Sequence, residues 1–217
     1  MTNVKLVAYS QPSSEFKNHG LDTIQDLVAF CARVSNPSNQ INTSTAENLI
    51  KYLIKHKHWS PMEMVSMTLE IETTRDIARQ MLRHRSFSFQ EFSQRYADPT
   101  KELSFVNREA RLQDESNRQN SVETDDDELR TEWKARQESV ILEATDAYEW
   151  AIKNGIAKEQ ARVVLPEGLT VSRLYMHGTL RSWLHYIDLR SSNGTQKEHI
   201  EVAKACAEAI SKIWSFT

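Results

Sequence analysis

Residues 83–96 read RHRSFSFQEFSQRY, and no other stretch of the chain combines charge and aromatic character so densely. Three arginines, a histidine, a glutamate, two glutamines and three serines stand among four aromatic residues. Arginine guanidinium groups suit phosphate and other planar anions. Aromatic faces pack against planar rings. The stretch therefore predicts a binding site for a ligand that is both flat and phosphorylated, such as a nucleotide.

The composition around this stretch is that of one globular domain spanning residues 1–217. Hydrophobic residues make up 39% of the chain, the net charge is −3 and the pI is about 6.2. This charge argues against broad electrostatic binding to nucleic acid or to an anionic membrane, but it allows a small basic pocket. No apolar run approaches the roughly 20 residues of a membrane span, and no signal peptide is evident. We expect a cytoplasmic protein, or one in the host cytoplasm if the source is viral.

The cysteines and histidines do not form a metal-binding pattern. Cys31 and Cys206 lie far apart within apolar helical patterns, so both are interpreted as small core residues. His56, His58 and His84 form the only other candidate set, and the lysines beside the first two oppose cation binding. The sequence therefore predicts no metal site.

Hydrophobic periodicity around the opening stretch predicts an α+β fold. Strict alternation over residues 65–72 predicts a half-buried strand, followed by a helix that Thr73 and Asp76 cap and that runs directly into residue 83. Ser44 and Glu47 have the spacing of a capping box for the helix before that strand. Further elements are a strand over 4–9 and helices over 21–34, 129–154, 158–165, 169–189 and 196–214. Gly155 is the expected C-terminal cap of the long helix.

Residues 108–130 differ from the rest of the chain because acidic side chains dominate and apolar ones are scarce. The segment holds eight acidic residues against four arginines. We interpret it as an acidic, solvated and mobile insert; a regulatory or contact loop is the alternative.

Phosphate binding in this chain has to come from side chains, since only five glycines are present and no glycine-rich phosphate loop occurs. Glu91 lies among arginines and either holds one in place or accepts a hydrogen bond from a ligand. Ser93 with His84 could suggest a hydrolase, but no GxSxG elbow is present. We expect the Ser93 hydroxyl to bind a phosphate oxygen or the edge of a base.

The spacing Arg83-His84-Arg85, seven residues, Ser93 resembles the signature of the flavin-dependent thymidylate synthases, the ThyX family. The resemblance continues across nearly the whole chain outside the acidic insert. It includes residues 32–35, 52–63, 78–80, 91–96, 161–166, 180–182 and 188–190, with Gln196 and Glu198 beyond. It implies a ThyX-like fold, in which an antiparallel sheet packs against several long helices.

The resemblance also implies a reaction. FAD is reduced by NADPH, methylenetetrahydrofolate supplies one carbon, and dUMP becomes dTMP. Reduced flavin delivers the hydride, so that tetrahydrofolate is released. Neither cysteine lies near a candidate site, which agrees with a route that lacks an enzyme nucleophile. Relatives are homotetramers with active sites between subunits, and neither nucleic acid nor membrane is an expected partner.

Site residues follow from the same resemblance. Those implied for FAD are Ser60, Arg83, His84, Arg85, Glu91, Thr179, Leu180, Arg181 and His185. Those implied for dUMP are Gln80, Met81, Leu82, Arg83, Glu91, Phe92, Ser93, Gln94, Arg95, Arg162 and Arg190. Arg95 and Arg162 suit the phosphate. Arg190 is the implied catalytic residue and would stabilise negative charge on the uracil ring. Thr179 and Gln90 depart from the residues common in the family.

Two other functions stay open. A nucleotide- or RNA-binding module could use the same arginines and aromatic rings, although the chain has no repeated basic stripe. A flavoprotein of this fold that has lost synthase activity is the third.

Overall fold

The computed structural model describes residues 2–215. The strands are β1 Asn3–Tyr9, β2 Ser66–Thr74, β3 Ser88–Glu91, β4 Arg111–Gln113, β5 Ser121–Glu123 and β6 Val171–Thr179. The helices are α1 Ser14–Asn18, α2 Ile24–Ala32, α3 Ala46–Lys55, α4 Arg75–Met81, α5 Pro99–Glu102, α6 Asp127–Lys153, α7 Lys158–Ala161, α8 Leu180–Arg190 and α9 Lys197–Ser211. Short 3-10 turns lie at Pro37–Asn39, Ser60–Met64 and Arg162–Val164.

A four-stranded antiparallel sheet in the order β1-β2-β6-β3 forms the centre of the molecule. Side chains of β2 alternate between two faces, so Met67, Leu69 and Ile71 all point into the core. α8 and α9 complete that core with Trp183 and Ile210, among others. The α+β class and the antiparallel sheet with long helices are thereby confirmed. α4 begins at the end of the sheet where Thr74 pairs with Val171, α8 begins at the opposite end where Thr179 pairs with Ser66, and β3 lies beside β6 between them.

The helix predicted over residues 169–189 is wrong in its first half. Val171–Thr179 is a strand that pairs with β2 along its whole length, and only Leu180–Arg190 is helical. Leu174 and Met176 are buried whereas Tyr175 and His177 are exposed, which is a period of two. The helix prediction followed the apolar spacing of residues in α8 and extended it across this alternation.

The N-terminal caps predicted for α3 and α4 are also wrong. α3 begins at Ala46 without a side-chain cap, and Ser44 instead donates to the side chain of Asn42. α4 begins at Arg75 after Thr74, one residue later than predicted. The carboxylate of Asp76 accepts from the Thr74 hydroxyl at 2.5 Å and not from the helix backbone.

The acidic segment contains a β-hairpin in which β4 pairs with β5. Gln137 on α6 holds its base, since its side-chain oxygen accepts from the backbone N–H of Arg108 at 2.7 Å and its amide donates to the Arg108 carbonyl at 2.9 Å. The guanidinium groups of Arg108 and Arg111 both reach Glu198 on α9. This hairpin was not predicted from the sequence, and the mobility of the acidic segment stays a prediction.

The remaining expectations concern the long helix and the cysteines. α6 ends at Lys153, and Gly155 follows with a φ of 78°, as predicted. A second small core under α6 joins Tyr148 and Ala151 to α7. Cys206 is buried in the main core, and Cys31 is half-buried. Within residues 2–215 no helix has the length and apolar character needed to span a bilayer, and no group of three or more metal-ligating side chains is present.

Candidate active site

Arg190 and His84 meet at the C-terminal end of α8. Arg190 Nε donates to His84 Nε2 at 2.9 Å, although 106 positions separate them in sequence. The His84 ring lies edge-on against Tyr186, with centroids 5.0 Å apart. Burial and the adjacent Arg190 both lower the pKa of His84 below its usual value. A hydrogen-bond acceptor at Nε2 therefore requires a neutral imidazole with its proton on Nδ1.

Gln80 lies beside this pair at the end of α4, and side chains of α9 hold its amide. Gln80 Nε2 donates to Gln196 Oε1 at 2.8 Å, and Gln80 Oε1 lies 3.2 Å from His199 Nδ1. His199 Nε2 lies 3.0 Å from the Tyr186 hydroxyl. We call Gln80, His84, Tyr186, Arg190 and His199 the Arg190 cluster.

Glu91, at the end of β3, holds a second group of polar side chains together. Its Oε1 accepts from the Ser172 hydroxyl at 2.8 Å and lies 3.4 Å from an Arg75 nitrogen. Its Oε2 lies 3.7 Å from Arg79. Arg75 and Arg79 also approach Glu167 at 3.8 and 3.5 Å. The expectation that Glu91 holds an arginine is confirmed, but the arginines come from α4 and not from the opening stretch.

A cavity of about 390 Å³ lies next to Glu167. Its lining includes Arg75, Arg79, Gln94, Glu159, Arg162 and Glu167. Gln94 is 4% exposed, and its buried amide nitrogen has no hydrogen-bond partner. Arg95 extends past the cavity to Glu159, at 3.2 Å. We call this cavity the anion pocket, because its three arginines and a free amide donor suit a phosphate.

A third group lies at the start of α8. Thr179 caps the helix by accepting from the backbone N–H of Ser182. Arg181 donates to Glu63 at 2.8 Å. His185 packs edge-on against Trp59, with centroids 4.8 Å apart, and the exposed Ser60 follows Trp59 in sequence. These side chains form a polar surface with one aromatic wall.

Several arginines of the site have no carboxylate partner. Within residues 2–215, no ion pair is recorded for Arg83, Arg85, Arg162 or Arg190. Arg83 and Arg85 are exposed, whereas Arg162 and Arg190 are half-buried. Uncompensated cations in and around pockets favour anionic ligands.

Similarity to known proteins shows the family of this chain. The family model described as thymidylate synthase complementing protein matches residues 20–214. A protein of Paramecium bursaria Chlorella virus 1, described as a probable flavin-dependent thymidylate synthase, is 50% identical over 97% of this chain and 94% of its own length. A flavin-dependent thymidylate synthase of Synechocystis is 45% identical over the same shares. The chain belongs to the flavin-dependent thymidylate synthase family. The predicted family and enzyme class are confirmed.

One solved structure resembles this chain over nearly its whole length. It is the UMP/dUMP methylase PolB from Streptomyces cacaoi, bound with 5-Br dUMP. It is 27% identical to this chain, with a TM-score of 0.78 over 98% of this chain and 91% of that one.

The site residues implied by the thymidylate synthase resemblance fall into three groups. Gln80, His84 and Arg190 lie in the Arg190 cluster, Gln94 and Arg162 line the anion pocket, and the remainder surround the start of α8 or the opening stretch. Met81 and Leu180 are fully buried in the core, so only their backbone could contact a ligand. Leu82, Phe92 and Ser93 are half-buried. Among the hydrogen bonds of residues 2–215, none joins Ser93 to His84, which argues against a hydrolase.

Sequence reasoning missed the two arginines of α4. Arg75 and Arg79 are four positions apart and therefore share one helix face, which is the signal that could have found them. Burial lowers the pKa of Arg75 from its usual value, and the nearby Glu91 acts in the opposite direction. The aromatic residues Phe87 and Phe89 pack in or against the core.

Proposed function

We propose that this chain is an FAD-dependent thymidylate synthase that converts dUMP to dTMP. The carbon donor is methylenetetrahydrofolate, the reductant is NADPH and tetrahydrofolate is released. One observation carries the proposal. Arg162, which forms no ion pair within residues 2–215, lines a pocket that also holds a buried, unpaired amide donor, in a chain half identical to a viral family member.

The anion pocket is the proposed site of the dUMP phosphate. Arg162 and Gln94 line it directly, and Arg95 lies at its rim with Glu159. Charge-assisted bonds from guanidinium groups to phosphate are among the strongest polar contacts in proteins. Arg75 and Arg79 add positive charge, which Glu91 and Glu167 balance in part. Binding of a dianion would replace Glu159 as the partner of Arg95.

Arg190 is the proposed catalytic residue. Its Nε is engaged with His84, which leaves the terminal nitrogens of the guanidinium free to contact the pyrimidine. A fixed cation at the ring stabilises the negative charge that develops when C5 becomes nucleophilic. Because His84 is neutral and accepts this bond, it orients the guanidinium without adding a second charge.

The residues present suit FAD. Arg83 and Arg85 are exposed cations that form no ion pair with the described part of the chain, and Ser60, Thr179, Arg181 and His185 surround the start of α8. They provide donors for a diphosphate and an aromatic edge for a planar ring. Bound FAD supplies the reducing equivalents of the reaction, and the protein positions the cofactor and the substrate and polarises the reacting atoms. Ser60, His185 and Arg181 would hold the cofactor beside residues 83–85.

The start of α8 and the anion pocket lie at opposite ends of β6, which supports a site assembled between subunits. We therefore propose a homotetramer in which one subunit supplies the Arg190 cluster and another completes the flavin site. We also place the enzyme in the cytoplasm, or in the host cytoplasm if the source is a virus.

A titration tests this function. Purified protein loaded with FAD is expected to be yellow, and added dUMP should perturb its flavin absorption spectrum. The matched control is uridine, which lacks the phosphate and should have little effect at the same concentration. Protein that cannot be loaded with FAD, yet binds single-stranded oligonucleotides with strong salt dependence, would overturn the proposal in favour of an RNA-binding module.

A further inference from the structure

A continuous chain of hydrogen bonds runs from Glu198, at the hairpin base, to Tyr186 through the half-buried Gln196 and Gln80 and the buried His199. Glu198 accepts from Gln196 Nε2 at 2.9 Å, and Gln196 Oε1 accepts from Gln80 Nε2 at 2.8 Å. Beyond Gln80 the chain continues through His199, which is fully buried, to the Tyr186 hydroxyl. Every link lies between 2.8 and 3.2 Å.

The carboxylate at one end fixes the direction of this chain. Burial alone would raise the pKa of Glu198, but hydrogen bonds and charge from Arg111 and Arg108 hold it at about 2. An ionised carboxylate can only accept, so Gln196 has to present its NH₂ group to Glu198. Its carbonyl oxygen then faces Gln80, which in turn has to present its own NH₂ group. Amide orientations are ordinarily ambiguous, and here an acceptor-only group removes the ambiguity.

The same logic continues through the histidine. With its NH₂ group on Gln196, Gln80 turns its carbonyl oxygen toward His199 Nδ1, which must therefore carry a proton. His199 is neutral, because burial first, and then Arg190 and His84, lower its pKa to about 3. Nε2 is then an acceptor, and the Tyr186 hydroxyl donates to it.

We infer that His199 is a positioning residue: with the ion-paired Glu198, it locks the side-chain amide of Gln80 in one orientation for the nucleotide. This inference rests on the proposed function, because Gln80 is an implied dUMP contact. One N–H and one lone pair of the locked amide remain free, and a bound pyrimidine nucleotide would meet them already oriented. Tyr186 joins the two halves of the Arg190 cluster, since its ring supports His84 while its hydroxyl holds His199.

Two substitutions of similar shape test the role of His199. His199→Asn keeps an N–H donor near the position of Nδ1, whereas His199→Leu removes it. Both variants lose the imidazole ring, so the comparison isolates the effect of the donor. We expect His199→Leu to raise the dissociation constant of dUMP roughly tenfold. We expect His199→Asn to stay within about threefold of the unsubstituted enzyme, with FAD binding equal in all three proteins. Equal affinities for dUMP in the two variants would overturn the inference.

A second measurement examines the hydrogen-bond chain without any ligand. Long-range ¹H–¹⁵N NMR correlations distinguish the two neutral tautomers of histidine. We expect His199 to be neutral at pH 7 with its proton on Nδ1, and a proton on Nε2 would overturn the inference whatever the enzyme binds. Unsubstituted protein that shows the Nδ1 tautomer but does not bind dUMP would contradict the proposed function. The same result would still support the hydrogen-bond chain.

Discussion

At the scale of single residues, Arg190 carries the chemical part of the proposed mechanism. Its contact with His84 crosses 106 positions of sequence, so only its place at the end of α8 could be predicted. We expect Arg190→Ala to lower turnover by at least about 100-fold, because it removes a cation from a half-buried site. FAD should remain bound, as judged by absorbance after desalting.

Arg190→Lys is the matched control for that substitution. It keeps the charge but loses the Nε donor to His84, so we expect intermediate turnover. Loss of FAD together with activity in Arg190→Ala would contradict the assigned role.

Arg162 tests the anion pocket. We expect Arg162→Ala to raise the KM for dUMP by about tenfold or more while kcat changes little, because a charge-assisted bond to the phosphate is lost. Steady-state kinetics measure both constants. Arg118→Ala, in the exposed tip of the hairpin, removes the same charge away from the pocket and should leave both constants unchanged. A similar rise in KM in the control would show that only overall charge matters.

At the scale of elements, the close packing of β6 on the opening stretch depends on Gly178. A methyl group there would lie 2.5 Å from the Phe87 ring, and that ring packs edge-on against Trp183. We expect Gly178→Ala to lower the free energy of unfolding by about 1–3 kcal/mol. Thermal or urea unfolding measures this.

Gly168→Ala is the control for that prediction, since nothing lies within 4 Å of an added methyl group at Gly168. Equal stability of the Gly178→Ala variant and this control would show that Phe87 can move aside without cost.

The hairpin offers a test of the acidic segment. Its residues 112–123 contribute nothing to either hydrophobic core, so we expect their replacement by a short Gly-Ser link to leave the fold and the proposed tetramer intact. Size-exclusion chromatography and near-UV circular dichroism measure this. A wider deletion through Asp126 should destabilise by roughly a further 1 kcal/mol, because Asp126 caps α6.

An insoluble or monomeric 112–123 variant would contradict this prediction and would assign the hairpin a structural role. Arg108 and Arg111 lie outside the deleted residues and retain their contacts with Glu198.

Elements whose hydrophobic residues recur with a single clear period could be predicted from the sequence. A segment that combines a strand period with a helix period could not. The alternation of β2 and the broad apolar face of α9 are unambiguous, and both elements lie where predicted. In residues 169–189 the hydrophobic residues first alternate, as in a strand, and from Leu180 onward they follow helical spacing. Helical spacing in the second half obscured the strand in the first.

The site shows a similar division. The residues of the opening stretch were evident from composition and spacing, because their chemistry is local. Ser172, which donates to Glu91, and Gln196, which accepts from Gln80, lie more than 80 positions away from these residues. Such contacts depend on strand order and helix packing, which single-sequence periodicity does not determine.

At the scale of the whole molecule, buried His199 makes stability depend on pH. Its pKa is about 3 in the folded protein and near 6.5 when unfolded. The unfolded chain therefore binds more protons between these values, so stability is complete above about pH 6.5 and decreases as the pH falls. The expected slope from this one group is about 1.4 kcal/mol per pH unit. Glu198, whose folded pKa is about 2, adds a loss of the same sign below about pH 4.5.

Urea unfolding at pH 7, 6 and 5 and at fixed protein concentration measures this dependence. His199→Leu should lose much of the slope, while the smaller effect of His84 remains in both proteins. Parallel pH dependences in the two proteins would contradict neutral burial of His199.

The most direct measurement is tritium release from [5-³H]dUMP by the FAD-loaded enzyme with methylenetetrahydrofolate and NADPH. Synthase chemistry replaces the C5 hydrogen by a methyl group, so we predict tritium in water in step with dTMP, and none without FAD or folate. An FAD-loaded protein that binds dUMP but releases no tritium and forms no dTMP would contradict the account.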